Sequence, residues 1–236
     1  MAAQPLPFAP RPHTIRPWRL FTALSTSADR VAQVPIPPRR AYGGLTLLET
    51  FLLVSTCRLV DAQCLFEFGT FLGSTTLVLA LNSAPSARVF TLDLDAETHP
   101  TVSQHEADAP LTAIHHNAAH ALDFMNTAVE RKITSLRGDS LRLDFSPYYR
   151  QMDWIFIDAG HDLVSVRSDT ENAFRMINPD RLSCVLWHDY QNPDYPDLTR
   201  YLDDISQERP MFHVGDTMLC LWINDPAHAI LPTLLE

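Results

Sequence analysis

Residues 64–81, CLFEFGTFLGSTTLVLAL, determine the predicted fold. The first five residues form a short apolar run that predicts a buried strand ending at Gly69. Residues 75–81 predict a helix, so Gly69 and Gly73 lie four residues apart in the connecting loop. Glycine in such a loop lets the backbone approach a ligand and presents the helix N-terminal amides to it. The stretch therefore predicts a strand–loop–helix unit that carries a binding loop.

The alternation of strand and helix continues along the chain. Strands are predicted at 88–93, 132–136, 154–158 and 184–188, and helices at 45–59, 113–129, 163–177 and 197–207. Strands separated by helices indicate a parallel sheet covered on both faces. Two last strands, 212–214 and 218–223, are separated by so short a link that they predict an antiparallel hairpin. The predicted fold is α/β, a Rossmann-like three-layer sandwich with a mostly parallel seven-stranded sheet and a C-terminal antiparallel hairpin.

The composition excludes several classes of protein. With 46% hydrophobic and 19% charged residues among 236, the chain can bury a core and is not a disordered protein. The longest apolar stretch, 45–60, contains Glu49 and Arg58, so we expect no membrane span. The net charge of −10 argues against a nucleic-acid partner. The four cysteines form no CxxC pair, which indicates free thiols and a reducing, cytoplasmic location.

The N-terminal region differs from the rest of the chain. Residues 1–40 contain six arginines, one acid and eight prolines, which indicates an extended or loosely packed segment. We therefore divide the chain into a Pro/Arg-rich N-terminal arm at 1–41 and a domain at 42–236. A solvated tail, a lid over a substrate and a contact in a homo-oligomer remain open as roles for the arm.

Acidic residues follow nearly every predicted strand. In an open parallel sheet, ligands bind beyond the carboxyl ends of the strands, so these acids are candidate site residues. The loop after the first strand lacks the GxGxxG pattern, and no Lys follows Gly73, which disfavours a pyrophosphate ligand. Asp93 follows Gly69 by 24 residues, close to the offset at which a second-strand acid reaches ribose hydroxyls. A nucleoside without phosphates fits both observations.

Five motifs together resemble the class I S-adenosylmethionine-dependent methyltransferases, specifically the catechol-type small-molecule O-methyltransferases and their bacterial relatives. The motifs are EFGTFLGST at 67–75, TLDLD at 91–95, GDS at 138–140, DWIFIDAGH at 153–161 and WHDY at 187–190. The resemblance covers residues 42–223. It implies S-adenosylmethionine as the cofactor and a small molecule as the methyl acceptor.

The resemblance also implies the cofactor-binding residues. By position, it places the methionine part near Glu67, Gly69, Thr70, Gly73 and Ser74, the ribose on Asp93, and the adenine beside Asp139 and Ser140. The acidic surroundings suit the positive charge of a sulfonium ion.

The catechol-type branch implies a divalent metal ion and a general base. The metal ligands map to Asp158, His188 and Asp189, and the family's catalytic Lys is replaced by His161. Because His188 stands where the family has a carboxylate, the preference shifts from Mg²⁺ toward Mn²⁺, Fe²⁺ or Zn²⁺. A neutral histidine accepts a proton at neutral pH more readily than lysine does. We therefore expect Asp158 and His161 to be catalytic residues in O-methylation.

Other functions and other roles remain open. A metal-independent methyltransferase would keep His161 as the base, with Asp158 and Asp189 positioning the substrate. A non-catalytic protein that binds S-adenosylmethionine as a partner subunit would need no base. Asp158 can also cap the helix that follows it, and His188 can be a structural, hydrogen-bonded imidazole.

Overall fold

The computed structural model describes residues 9–24, 30–36, 43–94, 100–118 and 122–235. The strands are β1 (His13–Ile15), β2 (Cys64–Phe68), β3 (Arg88–Asp93), β4 (Ile133–Arg137), β5 (Trp154–Ile157), β6 (Ser183–Trp187), β7 (Met211–Val214) and β8 (Cys220–Asn224). The helices are α1 (Pro17–Thr22), α2 (Leu47–Leu59), α3 (Ser74–Asn82), α4 (Ala109–Ala118), α5 (Leu163–Met176), α6 (Pro196–Ser206) and α7 (Leu231–Leu235). Within these ranges no helix is long and apolar enough to cross a bilayer.

The strands form one mixed sheet in the order β1-β7-β8-β6-β5-β2-β3-β4. β8 is antiparallel to β6 and β7, and the other neighbouring strands are parallel. The mostly parallel sheet and the C-terminal hairpin are therefore confirmed. The sheet places the carboxyl ends of β2, β3, β4, β5 and β6 along one edge, which is where the sequence predicts the site.

The predicted number of seven strands is wrong, because β1 is an eighth. Its residues belong to the predicted N-terminal arm, and they pair in parallel with Phe212–Val214 of β7. The amide of Gly215 extends this pairing by donating to the carbonyl of Ile15 at 2.8 Å. Three residues between prolines are too few to show strand periodicity, so the sequence pattern could not reveal β1. The segment His13–Ile15 of the arm is thus joined to the sheet.

Hydrophobic side chains cover both faces of the sheet. Alternate residues of β5 point to opposite sides: Trp154 and Phe156 lie in one core cluster, and Ile155 and Ile157 lie in the other. Helices α2 and α3 contribute to the first cluster, and α5 and α6 contribute to the second. This confirms the three-layer sandwich. All four cysteines are free and buried in these layers, as expected for reduced thiols.

One predicted helix, 113–129, differs from the structure. α4 begins at Ala109 and ends at Ala118, and the residues from Leu122 to Val129 form consecutive turns. The Thr127 hydroxyl donates to the carbonyl of Phe124 at 2.6 Å, and Asn126 adopts a positive φ of 60°. Such local side-chain bonds and left-handed residues compete with a continuous helix. The apolar residues of this segment instead pack beside α3 in a third small cluster.

Substitution of Leu20 tests whether the N-terminal region contributes to the hydrophobic core. Leu20 is fully buried in α1, whereas its neighbour Trp18 is about half exposed. We expect Leu20→Ala to lower the free energy of unfolding by about 2–5 kcal/mol, because it leaves a cavity in a packed core. The matched control, Trp18→Ala, should lower it by less than about 1 kcal/mol. Urea unfolding measures the free energy of unfolding of both variants. Equally small losses of stability in the two would contradict a structural role for α1.

Candidate active site

A cleft of about 630 Å³ opens at the carboxyl ends of the central strands. The predicted site residues that line it are Gly69, Thr70, Ser74, Asp93, Asp139, Ser140, Asp158, His161, His188 and Asp189. Glu67 and Gly73 do not line the cleft and lie behind its wall. The parallel sheet thus brings into one cavity residues that are up to 120 positions apart in the sequence.

The loop after β2 lies directly against the end of β5. Gly69 has a φ of +94°, and a Cβ at this position would overlap the backbone carbonyl oxygen of Asp158. Glycine is therefore required both for the backbone conformation and for the close approach of the two loops. Gly73 has a φ of +80° and caps α3, and the Phe124 ring fills the space where its Cβ would lie. The Ser74 hydroxyl donates to Asp123 at 2.5 Å and fixes the start of α3.

Glu67 supports the same loop from below. Its side chain is buried, and its Oε2 accepts hydrogen bonds from the hydroxyls of Thr76 and Thr91. The Thr91 hydroxyl also lies 2.6 Å from that of Thr70, a loop residue. Within the described chain, Oε1 of Glu67 has no hydrogen-bond partner. Burial raises the pKa of Glu67 to about 8, which favours the protonated carboxyl at neutral pH.

Asp93, at the end of β3, holds the binding loop by its carboxylate. One oxygen accepts from the amide of Phe71 at 2.5 Å, and the other accepts from the amide of Leu94 at 2.8 Å. The first of these bonds ties Asp93 to the loop residue Phe71, which has a positive φ of 48°. Asp93 is therefore fixed at the cleft wall with both oxygens turned toward backbone amides.

Asp139 has a similar role after β4. Its Oδ2 accepts from the amide and hydroxyl of Thr101, at 2.7 and 2.5 Å, and its Oδ1 accepts from the amide of Leu141 at 2.9 Å. Burial raises the pKa of Asp139, but these hydrogen bonds outweigh it and lower the pKa. The preceding Gly138 has a φ of +142°, and a Cβ there would meet no atom of the described residues within 4 Å.

Four carboxylates and two imidazoles meet at the other end of the cleft. We call them the acid–histidine cluster, which consists of Glu49, Asp108, Asp158, His161, His188 and Asp189. Glu49 is in α2, Asp108 is in a 3₁₀ turn before α4, and the other four follow β5 and β6. Asp158 is the most exposed member, with 28% of its side chain accessible, against 2–11% for the others.

His161 lies between two carboxylates. Its Nδ1 is 2.9 Å from Oδ1 of Asp108, and its Nε2 is 3.0 Å from Oδ2 of Asp189. Its ring stacks on the ring of Tyr195, with 3.9 Å between the ring centroids. Burial lowers the pKa of His161, but the two carboxylates outweigh it and raise the pKa to about 10. Both nitrogens of His161 already face carboxylates that favour its protonated form, so the geometry does not support its expected role as a general base.

His188 is surrounded by three carboxylates. Its Nδ1 lies 2.9 Å from Asp189 and 3.5 Å from Asp158, and its Nε2 lies 3.4 Å from Glu49. Burial lowers the pKa of His188, but these acids outweigh it and raise the pKa to about 11. The pKa of Asp189 is depressed by its two imidazole neighbours despite burial, and burial raises that of Asp158.

The cluster also contains a group of possible metal ligands. One donor atom from each of Asp158, His161 and Asp189 lies within 4.8 Å of the other two. The structure therefore brings together two of the predicted ligands, Asp158 and Asp189, and places His188 in contact with both. It adds His161, which the sequence analysis assigned to proton transfer, as a further side chain that could hold a cation.

Sequence reasoning missed three members of the site. Glu49 forms a capping box with Thr46, a pattern visible in the sequence, but its contact with His188 is not visible there. Asp108 falls in a stretch without a recognisable motif. Tyr195, whose hydroxyl donates to Asp108 at 2.7 Å, lies in a loop without a recognisable motif.

The buried Glu67 gives a pH-dependent test of this arrangement. Its pKa is about 8 in the folded protein, against 4.5 for an ordinary glutamate, so the folded state holds up to one more proton between these pH values. Stability should therefore fall as pH rises through this window, by up to about 1.4 kcal/mol per pH unit. The free energy of unfolding is measured in urea at pH 5.5, 6.5 and 7.5. We expect it to decrease less steeply with pH in Glu67→Gln than in the parent protein. The exposed Glu208→Gln should keep the original slope, and an unchanged slope in Glu67→Gln would contradict the assignment.

The comparisons with solved structures concern the fold. One similar structure is the O-methyltransferase TomG from Streptomyces achromogenes, which is involved in tomaymycin synthesis and was solved in complex with S-adenosylmethionine. Its sequence is 16% identical, the TM-score is 0.51, and the alignment covers 77% of this chain and 82% of TomG. The O-methyltransferase from Bacillus cereus, in complex with S-adenosylhomocysteine, is also 16% identical with a TM-score of 0.51, and the coverages are 87% and 90%. The S-adenosylhomocysteine-bound methyltransferase PaMTH1 from Podospora anserina is 13% identical with a TM-score of 0.51, and both coverages are 89%.

The family comparison concerns the sequence itself. A search of curated proteins finds no match. The sequence does match the family described as a methyltransferase domain over residues 66–190, more than half of the chain. The matched region begins beside Glu67 and ends just after Asp189, so it contains the loop after β2 and five of the six cluster residues. The chain therefore belongs to the methyltransferase-domain family.

Proposed function

We propose that the cleft binds S-adenosylmethionine and that the protein transfers its methyl group to a hydroxyl oxygen of a small molecule. The observation that carries this proposal is the contact between Gly69 and Asp158, which puts the binding loop beside the acid–histidine cluster. A donor held by the loop would therefore present its methyl group to an acceptor held at the cluster. The neighbouring structures solved with S-adenosylmethionine or S-adenosylhomocysteine support this choice of cofactor.

The cleft suits an adenosyl cofactor at several points. We assign the adenine to the part of the cleft lined by Gly138, Asp139 and Ser140. We assign the ribose hydroxyls to Asp93 and the methionine part to Gly69, Thr70 and Ser74, which line the same cleft. Glu67 and Gly73 act from behind the wall by shaping the loop. S-adenosylmethionine supplies a methyl group on a positively charged sulfur, and the excess of carboxylates in the cleft favours that charge.

The acid–histidine cluster suits a divalent metal ion held by Asp158, His188 and Asp189. The ion would replace the proton on Nδ1 of His188, which now lies 2.9 Å from Asp189 and 3.5 Å from Asp158. A mixed nitrogen and oxygen donor set favours Mn²⁺, Fe²⁺ or Zn²⁺ over Mg²⁺. A divalent ion bound there would lower the pKa of an acceptor hydroxyl.

Proton transfer is assigned to Asp158 rather than to His161. Asp158 is the cluster side chain most exposed to the cleft, whereas both nitrogens of His161 already face carboxylates. The Asp158 carboxylate takes the hydroxyl proton as the acceptor oxygen attacks the methyl carbon in line. The oxygen–carbon bond forms, the carbon–sulfur bond breaks, and the sulfonium becomes a neutral thioether. The residues accelerate the reaction chiefly by holding both substrates in place.

A metal-independent methyltransferase is the second candidate. It is favoured by the charge pairing in the cluster, where His161 and His188 already balance neighbouring carboxylates as cations. In that case Asp158 and Asp189 would position the acceptor through hydrogen bonds. A non-catalytic cofactor-binding protein is the third, and it predicts binding without turnover.

Cofactor binding is measured first, by calorimetric titration of S-adenosylhomocysteine into the protein in EDTA. We expect one molecule to bind per chain, and Asp93→Asn to weaken binding roughly tenfold by removing an acceptor for the ribose hydroxyls. The exposed Glu208→Gln serves as the control and should bind like the parent protein. Absence of binding to the parent protein would contradict the proposed function.

Methyl transfer is measured next, with Mn²⁺ and a panel of catechols and simple phenols. We expect Asp158→Asn to lower turnover at least about 100-fold while S-adenosylhomocysteine still binds, because the variant loses a proton acceptor and not the cofactor loop. Equal turnover by the variant and the parent would contradict the role of Asp158. Turnover that persists in EDTA would favour the metal-independent candidate.

A further inference from the structure

Asp169 is a buried carboxyl group that the proposed reaction does not use. It lies in α5 with 1% of its surface exposed, and neither of its carboxylate oxygens makes a well-formed hydrogen bond with the described residues. A carboxyl group buried without partners lowers stability, so native proteins keep few of them. Such a group indicates a role that the folded chain alone does not fulfil.

The position of Asp169 is behind the wall of the cleft. Asp162 caps α5 and lines the cleft, and Ser165 in the first turn of the helix lines it as well. Asp169 follows Ser165 by four residues, so it lies on the same face of α5, one turn farther along. The side chains that act on the Asp169 carboxyl are those of Ser140, Asp162 and Asp139, and all three line the cleft. Asp169 therefore lies beside the part of the cleft assigned to the adenine.

The Ser140 hydroxyl connects Asp169 to the cleft. Burial raises the pKa of Asp169 to about 7, and the Ser140 hydroxyl lowers it, as a hydroxyl does when its proton points toward a carboxylate. A serine hydroxyl has one proton to donate and two lone pairs that accept. Because its proton is directed to Asp169, Ser140 offers a ligand in the cleft an acceptor and no donor.

We propose that Asp169 is a positioning residue that turns the Ser140 hydroxyl into a hydrogen-bond acceptor for the 6-amino group of adenine. This inference rests on the proposed function, in which the adenine lies beside Ser140. It adds the residue that makes the cleft selective among purines. A 6-amino purine donates to Ser140, whereas a 6-oxo purine would place its carbonyl oxygen against the Ser140 lone pairs. A site built for one hydrogen-bonding pattern rejects a ligand that leaves its polar groups unpaired.

The test compares two ligands of the full-length protein by calorimetric titration in EDTA at pH 8. The ligands are S-adenosylhomocysteine and S-inosylhomocysteine, which carries a 6-oxo group in place of the 6-amino group. We expect the parent protein to bind the adenosyl ligand at least about tenfold more tightly. Asp169→Asn should reduce this preference to about threefold or less, because the Asn amide donates to Ser140 and the Ser140 proton then turns toward the cleft.

Two further variants separate a positioning role from a structural one. Glu171→Gln changes an exposed acid of the same helix and should keep the parent's preference. Ser140→Ala removes the hydroxyl itself and should also reduce the preference to about threefold or less. Circular dichroism shows which variants fold, and Ser140→Ala carries the test if Asp169→Asn does not fold.

The ratio of the two affinities decides the outcome. A folded Asp169→Asn or Ser140→Ala variant that keeps the parent's preference would overturn the proposal. This holds even if both ligands bind more weakly, because equal weakening indicates a structural role. A parent protein that binds both ligands equally would overturn the proposal too. A parent protein that binds neither ligand would instead contradict the proposed function, so the two failures are distinguishable.

Discussion

The contact between Gly69 and the backbone of Asp158 is the constraint on which the rest of the site depends. β2 and β5 are neighbouring parallel strands, and the amide of Asp158 donates to the carbonyl of Phe68 at 2.9 Å. Their two loops therefore leave the sheet side by side, and a Cβ at Gly69 would collide with the Asp158 carbonyl. Because of this approach, the loop suited to a cofactor and the cluster suited to an acceptor share one cleft.

The electrostatics of the cleft follow from burial. The acid–histidine cluster holds four carboxylates, and only Asp158 among them is exposed beyond about a tenth. Buried charges are stable only when they are paired. The raised pKa values of His161 and His188 and the lowered ones of Glu49 and Asp189 express that pairing. Glu67 shows the other outcome, because without a cation beside it the carboxyl is protonated instead.

Much of the fold could be predicted because periodicity and glycine positions are local signals. The buried run at 64–68, the glycine loop after it and the closing hairpin are each visible in a few residues. β1 and the end of α4 could not be predicted in this way. β1 is three residues long and exists through its pairing with β7, and the turns after residue 122 depend on side-chain hydrogen bonds and on packing beside α3. The strand-end acids could be placed in the cleft from topology, but the contacts of Glu49 and Asp108 depend on tertiary packing.

The central claim is that a methyl donor and a metal ion lie next to each other in this cleft. It is tested most directly by a crystal structure of the protein with S-adenosylhomocysteine and Co²⁺, using anomalous scattering to locate the metal. We predict adenosine density beside Gly138 and Asp139 and one anomalous peak between Asp158, His188 and Asp189. Adenosine density elsewhere, or an anomalous peak away from the acid–histidine cluster, would contradict this account.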